Sequence, residues 1–229
     1  MKPAPEIQAE FDRIALADGA SGWNHNSHYH DFLLRHAPAR CANALDLGCG
    51  KGDFARLLAQ RSDHVLGVDL SPEMLRFARQ LSLAYPNIEY LQADVMQHPL
   101  PDDHFDCIAS IATLHHLPLS AVLPRLKAAL KPGGVLLVLD ISRDETLGDL
   151  LQSLVAIPVN LVFQRVRNRN NQPASAASRA AWDAHGHDDH YLSTGEVRRA
   201  CADLLPGARV TRHLFWRYSL VWTKPMRDR

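Results

Sequence analysis

The chain has no surplus of charge: over 229 residues, lysine and arginine total 25 and aspartate and glutamate total 25. Without a net positive field there is little to displace counterions from a phosphate backbone, so a nucleic-acid substrate is disfavoured. The short run Arg165, Arg167 and Arg169 reads as a solvated loop. Cysteine is scarce as well. Cys41, Cys49, Cys107 and Cys201 are scattered without a C-x-x-C pair, which excludes a zinc-ribbon pattern and a disulfide framework and leaves reduced thiols. Residues 1–10 are polar and hold no apolar signal core, and no uncharged run is long enough to cross a bilayer. The expectation is a cytoplasmic protein without stable membrane insertion.

What is present fits one large domain. Hydrophobic residues make up 46% and charged residues 22%, ordinary values for a globular chain that can bury a core. Between residues 44 and 140 short apolar runs alternate with amphipathic stretches, the pattern of βαβ units in a parallel sheet. Strands are expected at 44–47, 64–68, 88–92, 105–111 and 135–140. Helices are expected at 54–60, at 72–83 behind the N-cap Ser71 and Pro72, and at 119–130 before a turn at Lys131-Pro132-Gly133-Gly134. Residues 147–166 are strongly apolar and interrupted by Pro158; they read as a helical insertion, followed by a polar loop over 167–181. Ser193 and Glu196 have capping-box spacing for a helix to Leu205. The runs 208–215 and 218–223 read as a terminal antiparallel hairpin.

The segment richest in chemistry is Asp46-Leu47-Gly48-Cys49-Gly50-Lys51-Gly52-Asp53, a strand entering a glycine turn and then a helix. Backbone without Cβ atoms can pass close to a ligand there. A dinucleotide turn has G-x-G-x-x-G spacing, with its helix N-terminus on pyrophosphate. Here the spacing is G-x-G-x-G, and Asp53 stands where that pattern wants glycine. A carboxylate at Asp53, beside the pyrophosphate position, is repulsive, whereas a ligand bearing an amine and a sulfonium tolerates Asp46 beneath it. Asp69 closes the second strand, where an acid accepts hydrogen bonds from ribose hydroxyls, and Asp94 follows the third strand on the same sheet edge.

Taken together these motifs resemble the class I S-adenosylmethionine (SAM) dependent methyltransferases. Residues 46–52 resemble their first motif, Asp69 their ribose-binding acid, Asp94 with Val95 their adenine contact, and residues 130–134 their LKPGG turn. The resemblance implies a doubly wound α/β fold with a mostly parallel seven-stranded sheet, a terminal antiparallel hairpin and a helical lid insertion at 141–192, under an N-terminal helical cover at 1–40. It also implies SAM as cofactor, S-adenosylhomocysteine as product and a small-molecule acceptor methylated at oxygen, nitrogen, carbon or sulfur, by a monomer or homodimer; the alternatives are a macromolecular acceptor and a non-enzymatic SAM-binding or partner-binding module. Cofactor contacts are carried over to Tyr29, as an aromatic cover, and to Asp46, Gly48, Cys49, Gly50, Asp69, Leu70, Asp94, Val95 and Ile111. His30 is a further candidate beside Tyr29.

His115 and His116, after the fourth strand, are the candidates for removing a proton from the acceptor, since imidazole titrates near neutral pH. The chain holds 13 histidines, and the run from His185 to His190 carries metal-ligand residue types. Methyl transfer in this family needs no metal, so that run reads as a gating loop with no metal assigned. For residues 147–166 the favoured reading is a lid that lines an acceptor pocket. A dimer face and a membrane-surface contact are the alternatives, and the scarcity of basic residues before Arg165 argues against the last.

Overall fold

The structure is a computed structural model that describes residues 2–17, 24–167, 169, 175–186 and 191–227. Seven strands form one sheet: β1 (Cys41–Leu47), β2 (Ser62–Asp69), β3 (Ile88–Gln92), β4 (Phe105–Ile111), β5 (Leu130–Ile141), β6 (Arg209–His213) and β7 (Arg217–Thr223). Their spatial order is β3-β2-β1-β4-β5-β7-β6. The first five run parallel, and β7 lies antiparallel to both β5 and β6. The doubly wound sheet with its terminal antiparallel hairpin is therefore as the sequence predicts.

The central strands are buried on both faces, and this accounts for their nearly continuous apolar runs. Leu45, Ile108, Leu136 and Val138 face one layer of the core together with Leu123 and Leu126. Ala44, Cys107, Leu137 and Leu139 face the other, with Phe54 and Leu58. The covering helices are α1 (Ala4–Ala17), α2 (His30–His36), α3 (Asp53–Ala59), α4 (Pro72–Leu81), α5 (Leu119–Ala129), α6 (Leu147–Arg167), α7 (Ala176–Gly186) and α8 (Thr194–Leu204). The expected caps form. Ser71 Oγ accepts from the Met74 N–H, and Ser193 with Glu196 makes a reciprocal capping box.

Four expectations change. The LKPGG segment is an irregularity inside β5 rather than a turn before it: Phe105 pairs with Leu130 while Cys107 pairs with Val135, and Gly133 takes φ +81°. The strand is held through this bulge because the Gly133 N–H donates to the Lys224 carbonyl and the Lys224 N–H to the Gly134 carbonyl. Residues 176–181 are helical and open α7, which docks on α1; the earlier part of that expected loop lies largely outside the described residues. Pro158 leaves α6 uninterrupted. Finally, Leu147–Val166 is long and apolar enough by composition to cross a membrane despite Asp149 and Arg165.

Candidate active site at the carboxyl edge of the sheet

β1 pairs with β2 on one side and β4 on the other, so the chain winds outward to β3 and returns across β1. This is a topological switch point, where open α/β sheets leave a crevice beyond the strands' carboxyl ends. The glycine turn fills its floor. A Cβ at Gly48 (φ +69°) would lie 2.1 Å from Thr113 Oγ1, so only glycine lets the β1 turn close against Thr113, two residues past the end of β4. At Gly50 (φ +52°) a Cβ would meet nothing within 4 Å, so the space above this residue is open. The Gly48 and Cys49 N–H groups donate to the Val68 carbonyl at 2.8 and 3.0 Å, which ties the turn to β2. Across the crevice Ala112 holds φ +51°, an uncommon conformation for a residue with a Cβ.

Two acids stand under this turn. Asp46 is 2% exposed, and its Oδ2 has no hydrogen-bond partner among the described residues. Burial pushes its carboxyl pKa up to about 7; the Ala55 backbone opposes the rise, and the negative charges of Asp69 and Asp53 add to it. Asp69 accepts from the Gly50 N–H at 2.8 Å through Oδ2 and from the Ser71 N–H at 2.9 Å through Oδ1. Burial raises its pKa as well, against those backbone donors. One carboxylate thus shapes the glycine turn and the start of α4 together.

The remaining residues expected around the cofactor divide. Leu70 and Ile111 are partly buried at the ends of β2 and β4 on the same edge, and Cys49 is buried within the turn. Asp94 spends its carboxylate locally, accepting from the Met96 N–H and Gln97 Nε2, both at 2.8 Å, while Val95 packs in the core. Tyr29 departs from its expected place as a cover. Its hydroxyl donates to the Leu214 carbonyl at 3.0 Å, and its ring lies on His28 and His213 within the core. Burial of this phenol raises its pKa to about 12, as befits a packed structural tyrosine. His30 packs on Phe54 at the start of α3.

Beyond β4 and β5 the histidines gather. His115 Nδ1 lies 2.6 Å from Asp140 Oδ1, and the His115 N–H donates to Asp140 Oδ2 at 2.9 Å. Asp140 is fully buried. Burial pushes its pKa up, but His115 and the Ile141 and His115 backbone donors outweigh it and hold the carboxyl below its ordinary value. The His116 ring lies 3.9 Å from that of His115 and 5.2 Å from that of His185, which α7 delivers. One imidazole nitrogen from each of the three lies within 4.8 Å of the other two. His185 Nδ1 is 2.8 Å from Glu10 Oε2, and Phe11 meets the rings of His116 and His185, so α1 forms a wall of this end of the site. His187, Asp188, Asp189 and His190 lie outside the described residues.

Sequence reasoning missed Asp140, Glu10, Phe11 and Thr113. Asp140 had one signal, a carboxylate ending a buried apolar strand on the ligand edge. Glu10 and Phe11 had none, because their partners are distant in the chain.

A mostly parallel sheet with a glycine turn at its switch point, over a buried carboxylate with one oxygen unpartnered among the described residues, defines a doubly wound α/β fold with an open crevice at its carboxyl edge. The comparisons agree. Residues 45–138 match the family model described as a methyltransferase domain. An uncharacterized methyltransferase of Mycobacterium tuberculosis is 33% identical over 207 residues, covering 89% of this chain and 98% of that protein. The chain belongs to the class I SAM-dependent methyltransferases. It is also 34% identical over 119 residues to a ubiquinone biosynthesis O-methyltransferase of Xylella fastidiosa, covering 49% of this chain and 47% of that one. Among solved structures it resembles the N-methyltransferase NodS of Bradyrhizobium japonicum in complex with S-adenosylhomocysteine, with TM-score 0.61, 16% identity, and coverage of 95% and 98%.

Proposed function

We propose that the chain methylates a small-molecule acceptor at an oxygen whose proton is taken by His115. The observation that carries this reading is the buried His115–Asp140 pair beside the switch-point crevice. Asp140, kept ionised, accepts the Nδ1 proton of His115, which fixes the tautomer with Nε2 as the basic atom and holds the ring in place. Phe11, His116 and His185 close around it and restrict water, so the acceptor is desolvated and aligned.

SAM, when bound, supplies an electrophilic methyl group on a sulfonium and leaves as S-adenosylhomocysteine. Two observations fit it to the crevice: the unpartnered Asp46 Oδ2 suits a cationic group, and the open space over Gly50 accepts a ligand against the backbone. On this reading Gly48 and Gly50 flank the methionine part, while Leu70 and Ile111 line the walls. Asp69 has lone pairs left for ribose hydroxyls, because each of its oxygens can accept more than one hydrogen bond. Asp94 and Val95 border the adenine end. The name of the Xylella relative, an O-methyltransferase, supports oxygen as the methylated atom.

The test is calorimetric titration with SAM, S-adenosylhomocysteine and NAD, followed by product formation with a panel of hydroxylated aromatic acceptors. SAM and its product bind and NAD does not. With an accepted substrate, His115→Gln lowers kcat by about 10²-fold or more and changes SAM affinity less than about twofold. Unchanged turnover in His115→Gln, or silence toward SAM, overturns the proposal.

A further inference from the structure

α6 is amphipathic in the reverse sense. Four of its polar residues, Asp149, Gln152, Ser153 and Asn160, face the protein: Arg212 Nε lies 3.1 Å from both Gln152 Oε1 and Asp149 Oδ1, Ser153 Oγ donates to Asp144 Oδ2 at 2.8 Å, and Asn160 Oδ1 is 2.8 Å from His25 Nε2. Ala156 fills the contact between them at 1% exposure. The apolar residues face outward. Leu147, Leu151, Leu154, Ile157, Leu161 and Val162 are all at least half exposed, from 50% at Ile157 to 81% at Leu147. With Leu150, Val155 and Val166, which are also at least half exposed, these positions cover an arc of roughly 180° at 100° per residue, and over 20 residues the strip is about 30 Å long. Among the described residues these side chains lie outside the buried core clusters.

An exposed apolar face this long is far outside what solitary surface residues explain. Its width and charge select the occupant. A partner helix covers a narrow seam, a third or less of the circumference, and would leave the flanks wet. A flat lipid surface covers half a cylinder. Asp149, the acid of the first turn, is turned inward onto Arg212, whereas Arg165 and Arg169 stay exposed at the far end. The polar bonds of the inner face tie the helix along the protein and prevent it from spanning a membrane.

We propose that α6 is an interfacial helix that seats the enzyme on an anionic phospholipid surface, with its apolar strip among the acyl chains and Arg165 and Arg169 at the headgroups. This role is independent of the reading of the active site.

The experiment is flotation of the full chain with vesicles of phosphatidylglycerol and phosphatidylcholine in equal parts, alongside light scattering for the mass in solution. The wild-type chain floats with the vesicles and is a single chain in their absence. Leu154→Glu combined with Leu161→Glu lowers vesicle binding at least about tenfold and leaves SAM affinity and far-ultraviolet circular dichroism unchanged. Should that variant fail to fold, Arg165→Gln with Arg169→Gln leaves the apolar strip intact and weakens binding roughly fivefold for each arginine. Absence of wild-type flotation overturns the proposal, as does undiminished binding in either folded variant. A dimer that the Leu154→Glu pair dissociates overturns it too, assigning the strip to a second copy.

Discussion

Asp46→Asn should make the protein more stable and a poorer binder of SAM. Burial lifts the Asp46 carboxyl from its ordinary 3.8 to about 7. A raised folded pKa in an acid is a cost to the folded state, complete above pH 7 and relieved as the pH falls toward the unfolded value. A rise of about 3 units sets a ceiling of about 4 kcal/mol on that cost. Asparagine removes the charge but buries amide hydrogens without partners, which costs about 1–3 kcal/mol. The variant is therefore about 1–3 kcal/mol more stable than wild type at pH 8, and the advantage shrinks by about 1.4 kcal/mol per pH unit between pH 7 and pH 4. Urea denaturation of both proteins at pH 8 and pH 5, without ligand, measures this directly. In parallel, calorimetry at pH 8 gives SAM affinity at least about tenfold weaker in the variant, through loss of the carboxylate facing a cation. Equal stability at pH 8, or an advantage that does not change with pH, would refute the argument that a destabilising buried carboxylate is kept here for its ligand.

The two glycines of the turn separate packing from binding. Gly48→Ala drives a Cβ into Thr113 in a left-handed conformation, so chemical denaturation should show a loss above about 3 kcal/mol. Gly50→Ala meets no neighbour and costs about 1–2 kcal/mol from conformation alone, yet SAM affinity drops at least about tenfold because the methyl occupies the ligand's space. Asp140→Asn keeps the shape but favours the wrong His115 tautomer; kcat falls at least about tenfold while SAM affinity holds, and equal losses in both would point to a structural role only.

The sheet and the glycine turn were legible in the chain because their causes are local. Strands buried on both faces must be apolar throughout, Ser71-Pro72 and Ser193 with Glu196 satisfy helix ends within one turn, and Gly48 and Gly50 stand where the backbone takes positive φ. Asp69 could be placed on the ligand edge by counting strands. What only the tertiary structure decided are pairings that join remote segments. His115 is oriented by Asp140 across two strands, and His185 meets Glu10 over a separation of 175 residues, so spacing carries no trace of either. Tyr29 is drawn into the core by the carbonyl of Leu214, 185 residues away, whereas Asp94 is claimed locally by the N–H two residues on. Periodicity shows that α6 has an apolar half and a polar half, but the inward half is chosen by Arg212 and Asp144, which the fold brings to it. Burying their charges against Asp149, Gln152 and Ser153 leaves the leucines facing out.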